Sequence, residues 1–159
     1  MTAIARQVHE MLLRRGETVA VAESLTGGLM SAALTDSPGA SATFRGGVVV
    51  YSTDLKALLA GVPLDLLEDR GAVDPDVAVA LAVGARRRLG ASWGIGLTGV
   101  AGPDRQEGHP VGTVHVGLAA PGGHRVVRSL SLSGDRDGIR RGAVDAALAM
   151  LRDSLQDRE

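Results

Sequence analysis

An acid, two hydroxyl groups and two glycines follow a short apolar run near the start of the chain. The apolar run occupies residues 18–22, and the polar segment is ESLTGG at 23–28. This order predicts a strand that turns through glycines into a helix, with the Ser24 hydroxyl projecting from the turn and backbone N–H groups facing a bound anion. A serine nucleophile with an oxyanion site suits that geometry. Alternatively, Ser24 or Thr26 only caps the helix.

The neighbours of Ser24 are candidates for contacts with a substrate. Glu23 is able to orient a substrate amide or hydroxyl, and it is equally consistent with a solvated acid in the first helical turn. The backbone of the following turn offers N–H donors to an anion. We therefore expect substrate contacts from Glu23, Thr26, Gly27 and Gly28.

Lys56 is the candidate base for Ser24, because no histidine lies in the loops that follow the predicted strands. It comes five residues after Tyr51, among leucines on a predicted helix. Burial there would lower the lysine pKa from about 10.4 towards neutrality, as a general base requires. The alternative is a solvated lysine paired with Asp54. Tyr51 is either a proton relay or a packing residue at the end of a strand.

A second glycine-containing segment, LTGVAGPD at 97–104, follows another predicted strand. Its small side chains and open backbone donors suit a phosphate or a ribose. The alternative is an ordinary glycine-rich turn. The predicted substrate contacts in this segment are Thr98, Gly99, Ala101 and Gly102.

Two arginines near the start of the last predicted helix share one helix face. Arg136 and Arg140 are four positions apart, and cations in the first turns of a helix oppose its dipole. An anion bound nearby would explain their position. The other explanation is neutralisation by the neighbouring acids, which are Asp135, Asp137 and Asp145.

The sequence lacks the residues needed for a metal site, a cysteine nucleophile or a dinucleotide-binding turn. The chain has no cysteine, and its four histidines lack the spacing of metal ligands, so we predict no metal and no cofactor. The segment GIGLTG at 94–99 matches the letters of a dinucleotide-binding fingerprint. That fingerprint requires a helix to begin at its last glycine, where this sequence predicts a loop.

Composition and charge restrict the partners of the protein. The 159 residues carry a net charge of −1 and only three aromatic side chains, which argues against binding to nucleic acid. The charged N-terminal segment resembles neither a signal peptide nor a membrane span, so we expect a cytoplasmic protein without a membrane partner. A small-molecule substrate is the expected partner, and homo-oligomerisation is left open.

Strands and helices alternate along the chain. The pattern predicts helices at 3–15, from 26–28 to 37–39, after 52–54, from 74–75 and after 135, and strands at 18–22, 48–51, 93–97, 113–119 and 125–132. The last two strands form a predicted hairpin, which indicates a mostly parallel sheet with one antiparallel member and helices on both faces. A single domain over 1–159 is expected. Because ligands bind beyond the carboxyl ends of such strands, the loops with Ser24, Lys56 and Thr98 should meet.

Six segments, taken in order, resemble the CinA C-terminal domain family. They are AESLTGG (22–28), FRGGVVVYSTDLKALLAGV (44–62), GAV (71–73), LTGVAGPD (97–104), HPVGTV (109–114) and SGDRDGIRR (133–141). The resemblance spans almost the whole chain, with mild departures at Leu25 and Val100. It implies a three-layer α/β/α sandwich with a mixed, mostly parallel five-stranded sheet.

The enzymatic members of that family are nicotinamide-nucleotide amidases. The resemblance implies a metal-independent amidohydrolase that converts nicotinamide mononucleotide to nicotinic acid mononucleotide and ammonia, a step of pyridine-nucleotide salvage. It implies Ser24 as the nucleophile and Lys56 as its base, with Tyr51 nearby and the backbone of 26–28 holding the oxyanion. Two alternatives stay open: a nucleotide-binding or regulatory protein without turnover, and an amidase of another small phosphorylated amide.

Overall fold

Five strands form one mixed sheet at the centre of the molecule. The computed structural model describes residues 2–158 and gives the strands as β1 Val19–Glu23, β2 Phe44–Val49, β3 Trp93–Gly99, β4 Thr113–Ala119 and β5 Arg125–Ser131. Their order across the sheet is β2-β1-β3-β4-β5. β1 is parallel to β2 and to β3, whereas β4 is antiparallel to β3 and to β5. The predicted mostly parallel sheet with one antiparallel strand is confirmed.

Within residues 2–158, six α-helices cover the two faces of this sheet. They are α1 Ala3–Arg15, α2 Leu29–Thr35, α3 Thr53–Ala60, α4 Leu64–Arg70, α5 Pro75–Arg88 and α6 Arg136–Gln156. Side chains of α1, α2 and α6 pack on one face, and those of α3, α4 and α5 pack on the other. The three-layer α/β/α architecture is therefore confirmed. None of these helices combines the length and the apolar character needed to cross a membrane.

β1 shows how a short apolar run becomes a central strand. Val19 and Val21 pack among the helices of one face, while Ala20 and Ala22 pack among those of the other. All four side chains are fully buried. A strand that is covered on both faces is apolar at every position, which is why the run at 18–22 is recognisable.

Capping residues begin and end the helices close to the predicted positions. The Asp74 side chain accepts a hydrogen bond from the N–H of Asp76, and Pro75 is the first residue of α5. Asp135 accepts from the N–H of Gly138 at 2.8 Å and begins α6. These aspartates satisfy N–H groups that have no partner within their own helix.

β2 begins four residues earlier than predicted. The sequence predicts a strand at 48–51, whereas the structure begins it at position 44 and includes two glycines. A Cβ atom at Gly47 would lie 2.3 Å from the Ser31 Oγ of α2, so the absence of a side chain serves helix packing rather than a turn. Consequently Val50 and Tyr51 follow the strand and form its connection to α3.

The glycines of the GIGLTG segment lie within β3 and serve packing as well. A Cβ atom would lie 2.0 Å from the Ala82 carbonyl if added to Gly94, and 2.2 Å from the Ala78 carbonyl if added to Gly96. Both carbonyls belong to α5, which thus lies directly on the strand. The segment is not a dinucleotide-binding turn.

Candidate active site

Ser24 lies directly beyond β1, at the carboxyl end of the parallel strands. Its N–H donates to the Leu97 carbonyl of β3 at 3.0 Å, which extends the pairing of the two strands by one residue. The chain then turns through Gly27 and Gly28, whose φ angles of 56° and 105° favour glycine. Ser24 is 8% exposed and lines a pocket at this edge of the sheet. The strand therefore ends where its serine hydroxyl is sheltered yet accessible.

Lys56 reaches Ser24 from the first turns of α3. Its Nζ atom lies 3.0 Å from Ser24 Oγ, 2.8 Å from the Val50 carbonyl oxygen and 3.3 Å from the Tyr51 carbonyl oxygen. Both carbonyls belong to the connection between β2 and α3. Lys56 is only 1% exposed, so the alternative of a solvated lysine is wrong.

The contacts of Lys56 fix the orientation of the lone pair on its neutral amine. A neutral amine has two N–H bonds and one lone pair, and a carbonyl oxygen can only accept a hydrogen bond. The Val50 and Tyr51 carbonyls therefore take the two N–H bonds, and the lone pair faces Ser24 Oγ. A hydroxyl is able to donate to that lone pair. The arrangement suits transfer of the Ser24 proton to Lys56.

The environment of Lys56 also brings its pKa into the range of a general base. Burial lowers the pKa of Lys56 from 10.5 to about 8, against the negative charges of Glu107 and Asp54, which raise it. The unprotonated amine is thus well populated at slightly alkaline pH, as general-base catalysis requires. Lys56 is moreover the only lysine in the chain, all other members of the Lys and Arg class being arginines. A single lysine among sixteen arginines singles out Lys56 as a candidate functional residue, and this signal does not depend on motif spacing.

Glu23 is a structural anchor, contrary to its predicted contact with substrate. One carboxylate oxygen accepts from Thr26 Oγ1 at 2.7 Å and from the N–H groups of Gly28 at 3.2 Å and Met30 at 2.9 Å. The other accepts from the Ser31 N–H at 2.9 Å and the Ser31 hydroxyl at 2.6 Å. Five donors fill the roughly four lone-pair sites of a carboxylate and exceed them by one, and the side chain is fully buried. Glu23 therefore holds the start of α2 and has no free acceptor for a ligand.

The turn after the serine offers fewer free donors than predicted. The Gly27 N–H donates to the serine carbonyl at 3.1 Å, and the Gly28 N–H donates to the Glu23 carboxylate. The prediction that Gly27 and Gly28 bind an anion is therefore wrong. In the part of the chain that the structure describes, the N–H groups of Leu25 and Thr26 donate to no protein acceptor. Leu25 lines the pocket, whereas Thr26 is fully buried and does not line it, so the predicted substrate contact of Thr26 is wrong and the Leu25 N–H is the remaining donor beside the nucleophile.

A pocket of about 110 Å³ opens beside Ser24. Its walls come from the connections that the sequence predicts to meet at the carboxyl ends of the strands. All four predicted residues of the 97–104 segment line it: Thr98, Gly99, Ala101 and Gly102. The Thr98 hydroxyl donates to the Ala72 carbonyl at 2.6 Å, so its proton is engaged within the protein. The role of these residues as substrate contacts stays a prediction.

A larger cavity of about 730 Å³ lies elsewhere, along α5. It is lined by apolar side chains, by Asp76 and by three arginines, and its lining contains no hydroxyl, amine or imidazole group. The smaller pocket is lined by Ser24, whose hydroxyl contacts the buried Lys56 amine, and we place the candidate site there for that reason. Among residues 2–158, no group of three or more His, Cys, Asp or Glu side chains is arranged to hold a metal ion.

Arg136 and Tyr51 lie at the mouth of the pocket. The Arg136 guanidinium donates to the Gly102 carbonyl and, at 3.0 Å, to the Tyr51 hydroxyl. Both side chains line the pocket, and Tyr51 is 58% exposed. Tyr51 contacts Lys56 through its backbone carbonyl rather than through its phenol. The structure therefore places the phenol beside Arg136 and not between Ser24 and Lys56.

Arg140 lies behind the turn instead of in the pocket. Its guanidinium donates to the Leu25 carbonyl at 2.9 Å and to the Thr26 carbonyl at 3.1 Å. Of the acids that could neutralise the arginine pair, Asp137 forms an ion pair with Arg141 at 2.7 Å. Arg140 thus braces the backbone that follows the nucleophile, and its predicted contact with phosphate is not supported by this position.

Known proteins share both the sequence and the fold. The model of the CinA C-terminal domain matches residues 1–155. The chain belongs to the CinA C-terminal domain family. A CinA-like protein of Frankia casuarinae is 54% identical over 145 residues, which cover 91% of this chain and 33% of that protein. A CinA-like protein of Synechocystis is 48% identical over 157 residues, which cover 96% of this chain and 38% of that protein. This CinA domain therefore spans about a third of the length of those relatives.

Solved structures of CinA superfamily proteins resemble this CinA domain along nearly its whole length. One from Klebsiella pneumoniae has a TM-score of 0.93 at 30% identity and covers 97% of this chain and 96% of that chain. The competence/damage inducible protein of Agrobacterium tumefaciens has a TM-score of 0.91 at 35% identity, with 96% and 93% covered. The family and the fold class predicted from the sequence are confirmed.

Six residues of the pocket are absent from the sequence prediction. The lining of this CinA domain also includes Leu25, Ala72, Val73, Val100, Asp104 and Gln106. The first five lie within segments that carry the family resemblance, so the signal was available there. Residue type and spacing do not show that the 71–73 turn and the 103–109 loop approach the same hydroxyl, because that proximity comes from the tertiary structure.

Proposed function

We propose that this CinA domain hydrolyses the carboxamide of nicotinamide mononucleotide, giving nicotinic acid mononucleotide and ammonia, through Ser24 and Lys56 and without a metal ion. The observation that carries the proposal is the 3.0 Å contact between Lys56 Nζ and Ser24 Oγ, made by a lysine that is 1% exposed. A buried amine aimed at one hydroxyl is the arrangement that activates a serine nucleophile.

In the first half of the reaction, Ser24 Oγ attacks the amide carbon while its proton moves to the neutral Lys56 amine. A tetrahedral intermediate forms, with the former carbonyl oxygen carrying the negative charge. The C–N bond then breaks, and the Lys56 ammonium returns the proton to the departing nitrogen, which leaves as ammonia. The product of this step is an ester of Ser24.

In the second half, a water molecule attacks the ester and gives its proton to Lys56. The bond between the acyl carbon and Ser24 Oγ breaks, and Lys56 returns that proton to the serine oxygen. The carboxylic acid product leaves and ionises at neutral pH. Lys56 therefore acts as base and acid in turn, and the Tyr51 phenol is not needed in either step.

The oxyanion of both tetrahedral intermediates is assigned to the backbone beside the nucleophile. Leu25 lines the pocket with Ser24, and its N–H donates to no protein acceptor within residues 2–158. The N–H of the residue after a nucleophilic serine is a recurring oxyanion donor in hydrolases. Arg140 supports this assignment by holding the Leu25 and Thr26 carbonyls on the other side of the turn.

The size of the pocket limits which part of a substrate can enter it. A cavity of about 150 Å³ accommodates benzene, so a pocket of about 110 Å³ would receive the carboxamide and the adjoining edge of the pyridine ring and not a whole nucleotide. The ribose and phosphate would then extend past Gly99 and Gly102 to the mouth. Arg136 is the cation at that mouth, and a guanidinium binds phosphate well.

The direct test measures ammonia release from nicotinamide mononucleotide, nicotinamide riboside and nicotinamide by the purified protein. We expect the mononucleotide to be the preferred substrate, no loss of rate after exhaustive chelation, and a loss of at least about 10³-fold in kcat in Ser24→Ala. Binding of the mononucleotide without turnover by the wild-type protein would favour the regulatory alternative. Preference for another phosphorylated amide would reassign the substrate, and loss of activity on chelation that zinc or magnesium restores would contradict the metal-free reaction.

A further inference from the structure

The loop at 103–109 forms one side of the pocket. Asp104 and Gln106 line the pocket from this loop, whose residues are otherwise largely exposed. Backbone hydrogen bonds between Gln106 and His109, of 3.3 and 2.8 Å, close it into a small hairpin. A short exposed hairpin has few contacts of its own to fix its position, so the loop requires an attachment to the rest of the molecule.

Glu107 supplies that attachment. Its carboxylate accepts from the Ala72 N–H at 2.9 and 3.2 Å and from the Val73 N–H at 3.2 Å. A Cβ atom at Gly71 would lie 2.4 Å from the same carboxylate, so this glycine leaves the space that the carboxylate occupies. Hydrogen bonds to a charged acceptor are the stronger kind in proteins.

The conformation of Glu107 indicates that these contacts are specific. Its φ angle of 51° makes it the one residue other than glycine with a positive φ among those the structure describes. A non-glycine side chain in this region of φ and ψ is uncommon and requires support from its surroundings. The carboxylate contacts are that support.

The turn that receives Glu107 is itself part of the site. Ala72 and Val73 line the pocket, and the Ala72 carbonyl accepts the Thr98 hydroxyl at the end of β3. Glu107 therefore connects an exposed wall of the pocket to a wall that is bonded to the end of β3.

We propose that Glu107 is a positioning residue, whose carboxylate fastens the 103–109 loop to the 71–73 turn and so places Asp104 and Gln106 against the bound substrate. The inference rests on the proposed amidase function. It concerns substrate binding, because Glu107 makes no contact with the Ser24–Lys56 pair and affects it only through its negative charge, which raises the pKa of Lys56.

The test uses Glu107→Ala, Glu107→Gln and Glu107→Gly in the full chain, with Glu68→Gln as the control for loss of one exposed negative charge. Glycine tolerates the positive φ, so Glu107→Gly separates loss of the carboxylate from backbone strain and keeps the loop able to fold. Trypsin reports on the loop directly, because the exposed Arg105 lies inside it and the cleaved bond joins Arg105 to Gln106.

We expect cleavage after Arg105 and the KM for nicotinamide mononucleotide each to rise about tenfold in the Ala and Gly variants, with a smaller effect in Glu107→Gln. The kcat should stay within about twofold of wild type when it is measured well above pH 8, where Lys56 is unprotonated with or without the Glu107 charge. The control variant should match the wild type in all three quantities. If the protein is active and the rate of cleavage after Arg105 is unchanged in both the Ala and Gly variants, Glu107 does not fasten the loop, and the proposed amidase function is unaffected. Faster cleavage with an unchanged KM would overturn the positioning role, and an inactive wild-type protein would overturn the proposed function with it.

Discussion

Two buried charged residues lie near each other at the carboxyl edge of the sheet and differ in how their hydrogen bonds are used. Glu23 ends β1, and its carboxylate accepts from five donors of the turn and of α2. Lys56 lies in α3, and its amine contacts two carbonyls and the Ser24 hydroxyl. The carboxylate oxygens already accept from five donors, whereas the amine contacts one hydroxyl whose proton it can accept.

Burial alone therefore does not separate a structural charge from a reactive one. Glu23 and Lys56 are both nearly inaccessible, at 0% and 1% exposure. Their hydrogen-bond partners separate them, because a saturated group can only hold its surroundings in place. This comparison predicts that changes at Glu23 affect mainly stability and that changes at Lys56 affect mainly turnover.

The largest expected effect is the loss of turnover when the pair is broken. Ser24→Ala, Lys56→Ala and the double variant should each lower kcat by at least about 10³-fold and to a similar residual rate, because residues that act as one unit are not additive. Lys56→Arg should not restore activity, since a guanidinium stays protonated. Ser52→Ala is the matched control, because Ser52 is exposed next to α3 and makes no capping hydrogen bond. A near-wild-type kcat in folded Lys56→Ala would make Lys56 a structural residue like Glu23.

The next largest effect is a loss of stability when the buried Glu23 carboxylate is changed. Glu23→Gln should lower the free energy of unfolding by about 3 kcal/mol, because the new amide group faces N–H donors in a fully buried site. Lys56→Met should change it by only about 1 kcal/mol, since removal of a buried ionisable amine offsets the loss of its hydrogen bonds. Urea unfolding measures both quantities, with the exposed Glu10→Gln as control. Equal losses for the two variants would contradict the assigned difference in roles.

The smallest expected effects separate the two arginines. Arg136→Ala should raise the KM for nicotinamide mononucleotide about tenfold with little change in kcat, because Arg136 lies at the pocket mouth. Arg140→Ala should instead lower kcat about tenfold, because Arg140 holds the carbonyls of the turn that carries the nucleophile. Steady-state kinetics on the two variants make the comparison. The reverse pattern would place Arg140 on the phosphate and Arg136 outside the binding site.

The sequence predicts the fold well because each central element has a local signature. The run at 18–22 is apolar on both faces of its strand, and Asp74 and Asp135 mark helix starts by side-chain capping. β2 and α4 lack such signatures. Gly47 breaks the apolar pattern of β2 for the sake of Ser31 packing, and α4 has only seven residues.

The candidate site is predictable only as far as residue type and strand ends allow. Ser24 and Lys56 follow from a hydroxyl and an amine at the ends of neighbouring parallel strands. The role of Glu23 does not follow from the sequence. An acid at the end of a strand has the same neighbours in sequence whether its carboxylate caps the next helix or binds a ligand. Arg140 and Glu107 act through contacts across more than thirty residues, which local spacing does not encode.

The central claim, that Lys56 has a lowered pKa and acts as the base for Ser24, has a direct measurement because the chain contains a single lysine. Protein labelled with ¹³C and ¹⁵N at lysine, and expressed without a lysine-containing tag, gives one side-chain amine signal to titrate by NMR. Since burial lowers the pKa of Lys56 to about 8, the account predicts a midpoint near that pH. The kcat/KM for nicotinamide mononucleotide should rise with pH through the same midpoint, because only the unprotonated amine accepts the Ser24 proton. A lysine that titrates at its ordinary pKa of about 10.4, with a rate that is independent of pH around 8, would contradict the account.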